Sequence, residues 1–331
     1  MTIANPIDVT GTVQVWGSTI NLNANVTSDS SQTYTGALAL GANATLTGTG
    51  VSATSTVNLN AYDLTVANSA AGSVAGIISG TGELIKSGAG TLTLSGANTY
   101  SGNTSVSSGT LKLTNTNTSS QYSISDGATL ELNVDSGTRD LPTVTFTGAG
   151  ILRKTGAGAI STEAGVATFD LADGGLIDVQ AGLFGTGGYS NDDLSSNESD
   201  LNVASGATFS VSDNDAYFDA VTGDGTIQMG YQNDNVFVVG IGDSSSQFDG
   251  VFQDTGWNDG AGILNLVKQG AGTFTLTGTN TYTGSTTVSD GVLVLANNTP
   301  TTATSGFGCA GTLRIESVDN SFASTFDVDS D

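Results

Sequence analysis

Histidine is absent from the 331-residue sequence, and cysteine occurs once, at Cys309. Without histidine, serine and cysteine nucleophiles have no imidazole base and zinc lacks a common ligand, so these chemistries are set aside. A single cysteine excludes an intramolecular disulfide. No stretch of 18 or more apolar residues occurs, so the sequence predicts no transmembrane helix and no direct membrane span.

Basic residues are also scarce. Seven lysines and arginines stand against 31 aspartates and glutamates, which gives a net charge of −24. Nucleic acids and anionic membranes both attract clustered lysine and arginine, so neither is expected as a partner. We interpret the acidity mainly as a source of solubility, because like charges keep molecules apart.

Helix signals are missing, whereas apolar residues often alternate with threonine or serine. Residues 91–94, 143–146, 208–211 and 273–276 show this alternation, and a period of two is typical of half-buried strands. Glycine, with 46 residues, and asparagine separate the strands at corners that require positive φ. The sequence therefore predicts an all-β protein: a right-handed parallel β-helix (β-solenoid) with about 20 to 25 residues per turn, forming a single elongated domain.

Two segments of the chain are close copies of each other. Residues 86–113 and 268–295 have the same length and agree at 18 of 28 positions. Self-similarity of this kind indicates stacked modules rather than one globular core. We divide the predicted solenoid into N-terminal rungs, a repeat, a degenerate repeat, acidic loop-rich rungs, a second repeat, and a C-terminal rung or tail: 1–79, 80–113, 114–181, 182–260, 261–297 and 298–331.

Structural roles are predicted for the residues that recur in these copies. Three lysines each precede x-Gly-Ala-Gly, and we expect their stems to cover an apolar strand edge while the ammonium reaches solvent or a corner carbonyl. Two tyrosines in Asn-Thr-Tyr-x-Gly are expected to pack on the next rung. Binding of an anionic sugar by the lysines, or of a sugar ring by the tyrosines, is the alternative. The structural residues are Lys86, Gly88, Gly90, Tyr100, Lys154, Gly156, Gly158, Lys268, Gly270, Gly272 and Tyr282.

Residues 155–267 contain 17 aspartates and glutamates and no lysine or arginine. Calcium takes six to eight oxygen ligands, so acidic loops in this stretch are a speculative calcium site. No sequence here matches an established calcium-binding loop, and a solvated acidic face is the simpler interpretation. No other cofactor is expected. The residues of the speculative site are Asp213, Asp215, Asp219 and Asp224.

Paired carboxylates on a β-helix also occur in enzymes that cleave polysaccharides. Asn191-Asp192-Asp193 is the nearest candidate. Neither a cluster of cations to hold an anionic sugar nor an apolar wall to raise a carboxyl pKa accompanies it. We therefore predict that the chain is not an enzyme.

The first copy, together with the residues just before it, shows one pattern of glycine, leucine, threonine and single lysine and tyrosine positions. The pattern is carried by Gly82, Leu84, Lys86, Gly88, Gly90, Thr91, Leu92, Thr93, Leu94, Gly96, Asn98, Thr99, Tyr100, Gly102, Thr104, Val106, Gly109 and Leu111. It resembles the passenger-associated transport repeat of autotransporter adhesins, and the rest of the chain is similar to filamentous-haemagglutinin-like surface proteins. The resemblance implies a right-handed β-helix that is exported to the bacterial surface, and it implies no catalytic residue.

The expected function is that of a structural and adhesive segment of a large bacterial protein, located outside the cell or on the outer-membrane surface. It would act as a rigid stalk or fibre element in adhesion or biofilm. Expected partners are glycans or proteins on host or neighbouring cells, contacted by residues 182–260, or other copies met through the solenoid ends. Two alternatives stay open: a carbohydrate-binding or polysaccharide-cleaving β-helix, and a self-assembling extracellular filament.

Overall fold

A computed structural model describes residues 1–162, 165–185, 192–211, 214–229, 235–254, 262–296, 307–309 and 312–316. Within these ranges the regular elements are all β-strands, which confirms the predicted all-β class. None of the described segments forms a helix suited to crossing a membrane. The strands build a parallel β-solenoid of about 14 turns.

Most strands are short, as the frequent glycine corners predict. The strands up to residue 94 are β1 (Thr2–Ile3), β2 (Ile7–Val9), β3 (Val13–Leu22), β4 (Val26–Ser28), β5 (Gln32–Leu40), β6 (Ala44–Gly48), β7 (Val51–Ala53), β8 (Val57–Asn58), β9 (Leu64–Asn68), β10 (Gly72–Val74), β11 (Ile78–Ser79), β12 (Leu84–Ser87) and β13 (Thr91–Leu94). The next are β14 (Thr104–Val106), β15 (Thr110–Leu113), β16 (Gln121–Ile124), β17 (Thr129–Asn133), β18 (Thr138–Asp140), β19 (Val144–Gly148), β20 (Ile151–Thr155), β21 (Ala159–Ser161), β22 (Ala167–Leu171), β23 (Leu176–Val179) and β24 (Leu183–Gly185). The last are β25 (Asp200–Val203), β26 (Thr208–Val211), β27 (Ala216–Phe218), β28 (Val221–Gly223), β29 (Thr226–Met229), β30 (Asn235–Val239), β31 (Ser246–Phe248), β32 (Val251–Gln253), β33 (Leu264–Lys268), β34 (Thr273–Leu276), β35 (Thr286–Val288), β36 (Val292–Ala296), β37 (Phe307–Cys309) and β38 (Thr312–Glu316).

The chain folds into two compact units. Unit 1 comprises Met1–Val134 and Val144–Arg153, and unit 2 comprises Asp135–Thr143 and Lys154–Asp331. The single elongated domain that the sequence suggests therefore stays a prediction, as does the right-handed winding.

Unit 1 contains two stacks of parallel strands. The first runs from β1 through β3 to β5, continues as the pairs β7 with β10 and β8 with β11, and ends with β13, β15 and β17. The second runs through β2, β4, β6, β9, β12, β14, β16 and β19. Leu64 lies opposite Leu84, 20 residues later, which agrees with the predicted length of a turn.

Unit 2 contains three stacks of parallel strands. They are β18–β21–β24–β26–β29–β32, β23–β25–β28–β31–β34–β36–β38 and β27–β30–β33–β35–β37. Some turns are longer here, since Asn235 lies opposite Leu264, 29 residues later.

The core of unit 2 contains a column of phenylalanines. Consecutive rings lie 5.2 to 6.2 Å apart, at distances favourable for edge and offset contacts, and belong to Phe184, Phe209, Phe218, Phe237 and Phe252. The sequence predicts acidic, loop-rich rungs for residues 182–260. In the described part of this zone, regular strands β24 to β32 enclose the aromatic core.

Candidate functional site

The lysines of the repeat motif point into the interior of the solenoid. Lys86 is fully buried and lies in register between Val66 and Val106, so a charged side chain occupies a position that neighbouring turns fill with valine. Lys268 lies in the same way between Val239 and Val288. The stems therefore pack inside the core, not along a strand edge as the sequence suggested.

Each ammonium group meets three backbone carbonyl oxygens at a corner. The Nζ of Lys86 donates to the oxygens of Ser87 at 2.8 Å, Gly88 at 2.6 Å and Ser108 at 3.1 Å. Two acceptors follow the lysine directly and the third belongs to the next turn. We call this arrangement a lysine corner. Of the two predicted ends for the ammonium, solvent and a corner carbonyl, the structure shows the carbonyl.

The other two lysines form the same corner. Lys154 donates to Thr155, Gly156 and Ala181 at 2.9, 2.7 and 3.0 Å, and Lys268 donates to Gln269, Gly270 and Asp290 at 2.7, 2.8 and 3.5 Å. The degenerate copy at Lys154 is thus a full structural copy of the corner. An ammonium group has three protons and no acceptor, so three carbonyls satisfy it completely.

Glycine is required where the next turn crosses the corner. Gly109 has φ +68°, and a Cβ there would lie 2.4 Å from the oxygen of Gly88 and 2.5 Å from that of Gly90. The equivalent glycines, Gly182 and Gly291, also have positive φ and would contact the matching pairs of carbonyl oxygens at 2.2 to 2.8 Å. Gly88, Gly90 and their counterparts Gly156, Gly158, Gly270 and Gly272 thus supply the oxygens that surround this crossing.

The pKa values of the three corner lysines are lowered by burial. It lowers the pKa of Lys86 and of Lys154 to about 8. Burial also lowers the pKa of Lys268, while the carboxylates of Asp290, Asp243 and Asp219 raise it in part. Desolvation disfavours the charged form, which explains the direction.

We expect the ammonium groups of Lys86 and Lys154 to titrate near pH 8 in the folded protein, which ¹³Cε and ¹⁵Nζ chemical shifts would report. The ordinary value is 10.5, so the unfolded chain binds more protons between about pH 8 and 10.5, and the stability gained from each corner rises with pH there. The gap in unfolding free energy between the wild type and Lys86→Met should therefore widen from pH 7.5 to 9.5. A constant gap would contradict this prediction.

The two repeat tyrosines are buried and hydrogen-bonded. Tyr100 shares a 2.6 Å hydrogen bond with the hydroxyl of Thr104, and Tyr282 shares one of 2.8 Å with Thr286. The ring of Tyr282 also contacts that of Phe252 edge-on at 6.4 Å. Both side chains are fully buried, so the structure places them in the packed interior and leaves no ring face for a sugar.

Two asparagines that precede these tyrosines have a role that the sequence did not assign. The Oδ1 of Asn98 accepts the backbone N–H of Ile78 at 2.8 Å, and that of Asn280 accepts the N–H of Phe252 at 2.9 Å. Each thus ties one turn to the preceding turn. In both copies an asparagine lies two residues before the tyrosine, and a threonine lies four residues after it. This recurrence is the sequence signal from which the asparagine contacts and the hydroxyl partners of the tyrosines could have been predicted.

The carboxylate pair considered for catalysis does not form a catalytic arrangement. Asp192 is buried and accepts the hydroxyl of Thr162 at 2.6 Å and the N–H of Ala167 at 3.2 Å. Asp193 is exposed and accepts both the N–H and the hydroxyl of Ser195. Their adjacent positions turn them to opposite faces of the rung; Asn191 lies outside the described residues.

The speculative calcium residues are spread along the corners. Asp219 is buried and accepts the backbone N–H groups of Gly242 and Ser244 at 2.8 and 3.1 Å, Asp215 accepts that of Val236 at 2.8 Å, and Asp224 is exposed. Asp213 lies outside the described residues. Among the residues that the structure describes, no three acidic, cysteine or histidine side chains are arranged to hold a metal ion. Calcium binding stays a prediction.

A depression on the outer surface of unit 2 brings together a different set of side chains. It has a volume of about 440 Å³ and is lined by Asp193, Ser195, Asn214, Asp215 and Tyr217. Leu194 pairs with Ala216 in parallel register. Asp193 therefore lies beside Asp215, and Ser195 beside Tyr217, on neighbouring turns. We call it the acidic depression.

Comparison with known proteins identifies the repeats. The family described as the passenger-associated-transport-repeat matches residues 84–113 and 266–295, which contain the corners of Lys86 and Lys268. No curated protein and no solved structure matches the chain. The chain thus carries two repeats of this family within a β-solenoid, as in an autotransporter passenger, and such repeats imply a secreted or surface location.

Proposed function

We propose that this chain, with its two passenger-associated-transport-repeats, is a structural and adhesive segment of a secreted or surface-exposed bacterial protein. It serves as a rigid stalk or fibre element of an autotransporter-type passenger, in adhesion or biofilm. The observation that carries the proposal is the lysine corner, which occurs three times with the same contacts. The corner joins neighbouring turns through the protein's own backbone and leaves the ammonium no capacity for a ligand.

The stacking of turns supports a mechanical role. Within each unit, adjacent strands are joined by parallel ladders, and buried asparagine and lysine side chains add contacts between turns at the corners. In a solenoid each turn contacts only its neighbours, so stability grows by repetition and not by one central core. Such a chain holds its outer surface in place over many turns.

The acidic depression favours a binding role beside the mechanical one. It lies between the two matched repeats in the sequence and presents an aromatic ring with polar groups to solvent. Glycans or proteins of neighbouring or host cells are the proposed partners. Cleavage of a polysaccharide is not proposed, because Asp192 is buried and bonded to Thr162 and Ala167.

Display on a bacterial surface tests the adhesive role. Cells that present residues 1–331 through an unrelated export system should attach to glycan-coated or cell-coated surfaces several-fold more than cells with the empty export system. The matched control displays the Gly109→Ala and Gly291→Ala double variant, which should disturb two corners. Equal attachment by all three, at equal surface density, would remove the adhesive part of the proposal.

A further inference from the structure

We propose that the acidic depression binds an amine-bearing sugar unit, such as a glucosamine residue of a partly de-N-acetylated polysaccharide. A sugar of this kind is a ligand class for the adhesive role proposed above. The inference rests on that role only in assuming that the sugar lies on a neighbouring cell or surface. Binding in solution is a separate property of the site.

The volume of the depression suits one or two sugar units. A volume of about 440 Å³ lies at the lower end of the usual range for small-ligand sites. Its lining residues come from two adjacent turns held by the parallel bridge between Leu194 and Ala216. The bridge thus sets the two backbones about 4.8 Å apart before any ligand arrives.

Tyr217 supplies the apolar surface of the site. It lies on β27, whose alternation places Ala216 and Phe218 in the core and leaves Tyr217 half-buried on the outer face. Pairing with Val238 holds its backbone. A ring with an apolar body and a polar tip offers a face against which the C–H groups of a pyranose can pack.

Asp193 and Asp215 supply the charge. Each uses Oδ1 in a hydrogen bond to a backbone N–H, from Ser195 in one case and Val236 in the other. The hydrogen bonds from Ser195 lower the pKa of Asp193, so this carboxylate is ionised at neutral pH. Like charges directly opposite each other on neighbouring strands are destabilising, and a ligand ammonium between them removes that cost.

The surroundings of the depression select against acidic sugars. No lysine or arginine occurs in residues 155–267, which contain 17 acidic residues. A uronic acid or sulfated sugar would meet uncompensated repulsion. The Ser195 hydroxyl donates to Asp193, and the Nδ2 of Asn214 donates to the backbone oxygen of Asp192 at 2.6 Å. These bonds hold both groups at the edge of the depression, where the Ser195 oxygen can accept a hydrogen bond from a sugar hydroxyl, which a bare cation does not offer.

Titration calorimetry at low salt tests the site. The probes are a glucosamine trisaccharide, its N-acetylated form, a galacturonic acid trisaccharide, trilysine and calcium chloride. The glucosamine trisaccharide should bind at least tenfold more tightly than the N-acetylated form, and the acidic one should show no heat. Asp193→Asn and Asp215→Asn should each weaken binding about tenfold, and Tyr217→Ala about fivefold. Asp126→Asn, which changes an exposed carboxylate of unit 1 outside the depression, should leave the affinity unchanged.

The controls separate the possible failures. Each variant should keep the melting temperature of the wild type; if Tyr217→Ala does not, Tyr217→Phe replaces it and should retain most of the affinity. Equal binding of trilysine, an equal effect of Asp126→Asn, or competition by millimolar calcium would show plain electrostatics and overturn the proposal. Absence of glucosamine binding together with retained adhesion in the display assay would overturn this inference alone.

Discussion

Gly109→Ala is expected to lower the free energy of unfolding of its turn by about 2–5 kcal/mol. An L-residue at positive φ costs about 1–2 kcal/mol, and forcing a methyl group against packed neighbours adds about 1–3 kcal/mol. The neighbours are the carbonyl oxygens of Gly88 and Gly90, at 2.4 and 2.5 Å from the added Cβ. Both belong to the backbone, so relief requires the two turns to separate.

Gly127→Ala is the matched control for this change. Gly127 has nearly the same φ, +72°, but an added Cβ would have no neighbour within 4 Å. It should therefore lose only the conformational part, about 1–2 kcal/mol. Urea denaturation and amide hydrogen exchange of residues 104–113 measure the difference. Equal losses in the two variants would show that crowding between turns does not stabilise the corner.

Lys86→Met is expected to lower the free energy of unfolding by about 2–4 kcal/mol. The methionine fills a similar volume but leaves three corner carbonyls without their donor, and an unpaired buried polar group costs about 1–3 kcal/mol. Removing a buried charge offsets part of this loss, because the ammonium no longer has to be desolvated. Lys154→Met should behave alike, since its three distances differ from those of Lys86 by about 0.1 Å.

Lys112→Met, the same substitution at a partly exposed lysine, is the control for Lys86→Met. Lys112 is 30% exposed and forms an ion pair of 2.9 Å with Glu131. Partly exposed pairs contribute up to about 1 kcal/mol, so Lys112→Met should have a small effect. Denaturant midpoints and hydrogen exchange at Ser107, whose N–H donates to the oxygen of Lys86, report on the two sites. A Lys86→Met protein as stable as Lys112→Met would exclude the corner as a stabilising element.

The sequence contained enough information to predict the architecture. Alternating threonine and leucine predict half-buried strands, and the 28-residue copies predict stacked turns; both predictions rest on local periodicity. The inward direction of Lys86 could not be predicted, because a lysine in an alternating strand ordinarily faces solvent. Only the arrival of Ser108 from the following turn creates the third acceptor.

The acidic depression depends on long-range register between turns, which the sequence alone does not give. Asp193 was grouped with Asp192 because the two are adjacent in sequence, yet a strand turns neighbours to opposite faces. In the structure Leu194 pairs with Ala216 in parallel, which places Asp193 beside Asp215 on the next turn. The phenylalanine column was likewise hidden, because the acidic residues between its members dominate the composition.

The lysine corner allows a solenoid of this kind to accept additional residues in its turns. Its contacts involve two successive turns at one edge, so residues inserted at another edge leave it intact. Turns of 20 residues at Leu64 and 29 residues at Asn235 are both accommodated, and lengthening a loop from 10 to 20 residues costs only about 0.6 kcal/mol. New recognition loops can therefore be added or exchanged between corners without redesign of the scaffold. On this view, the stretch between the two matched repeats is free to diversify.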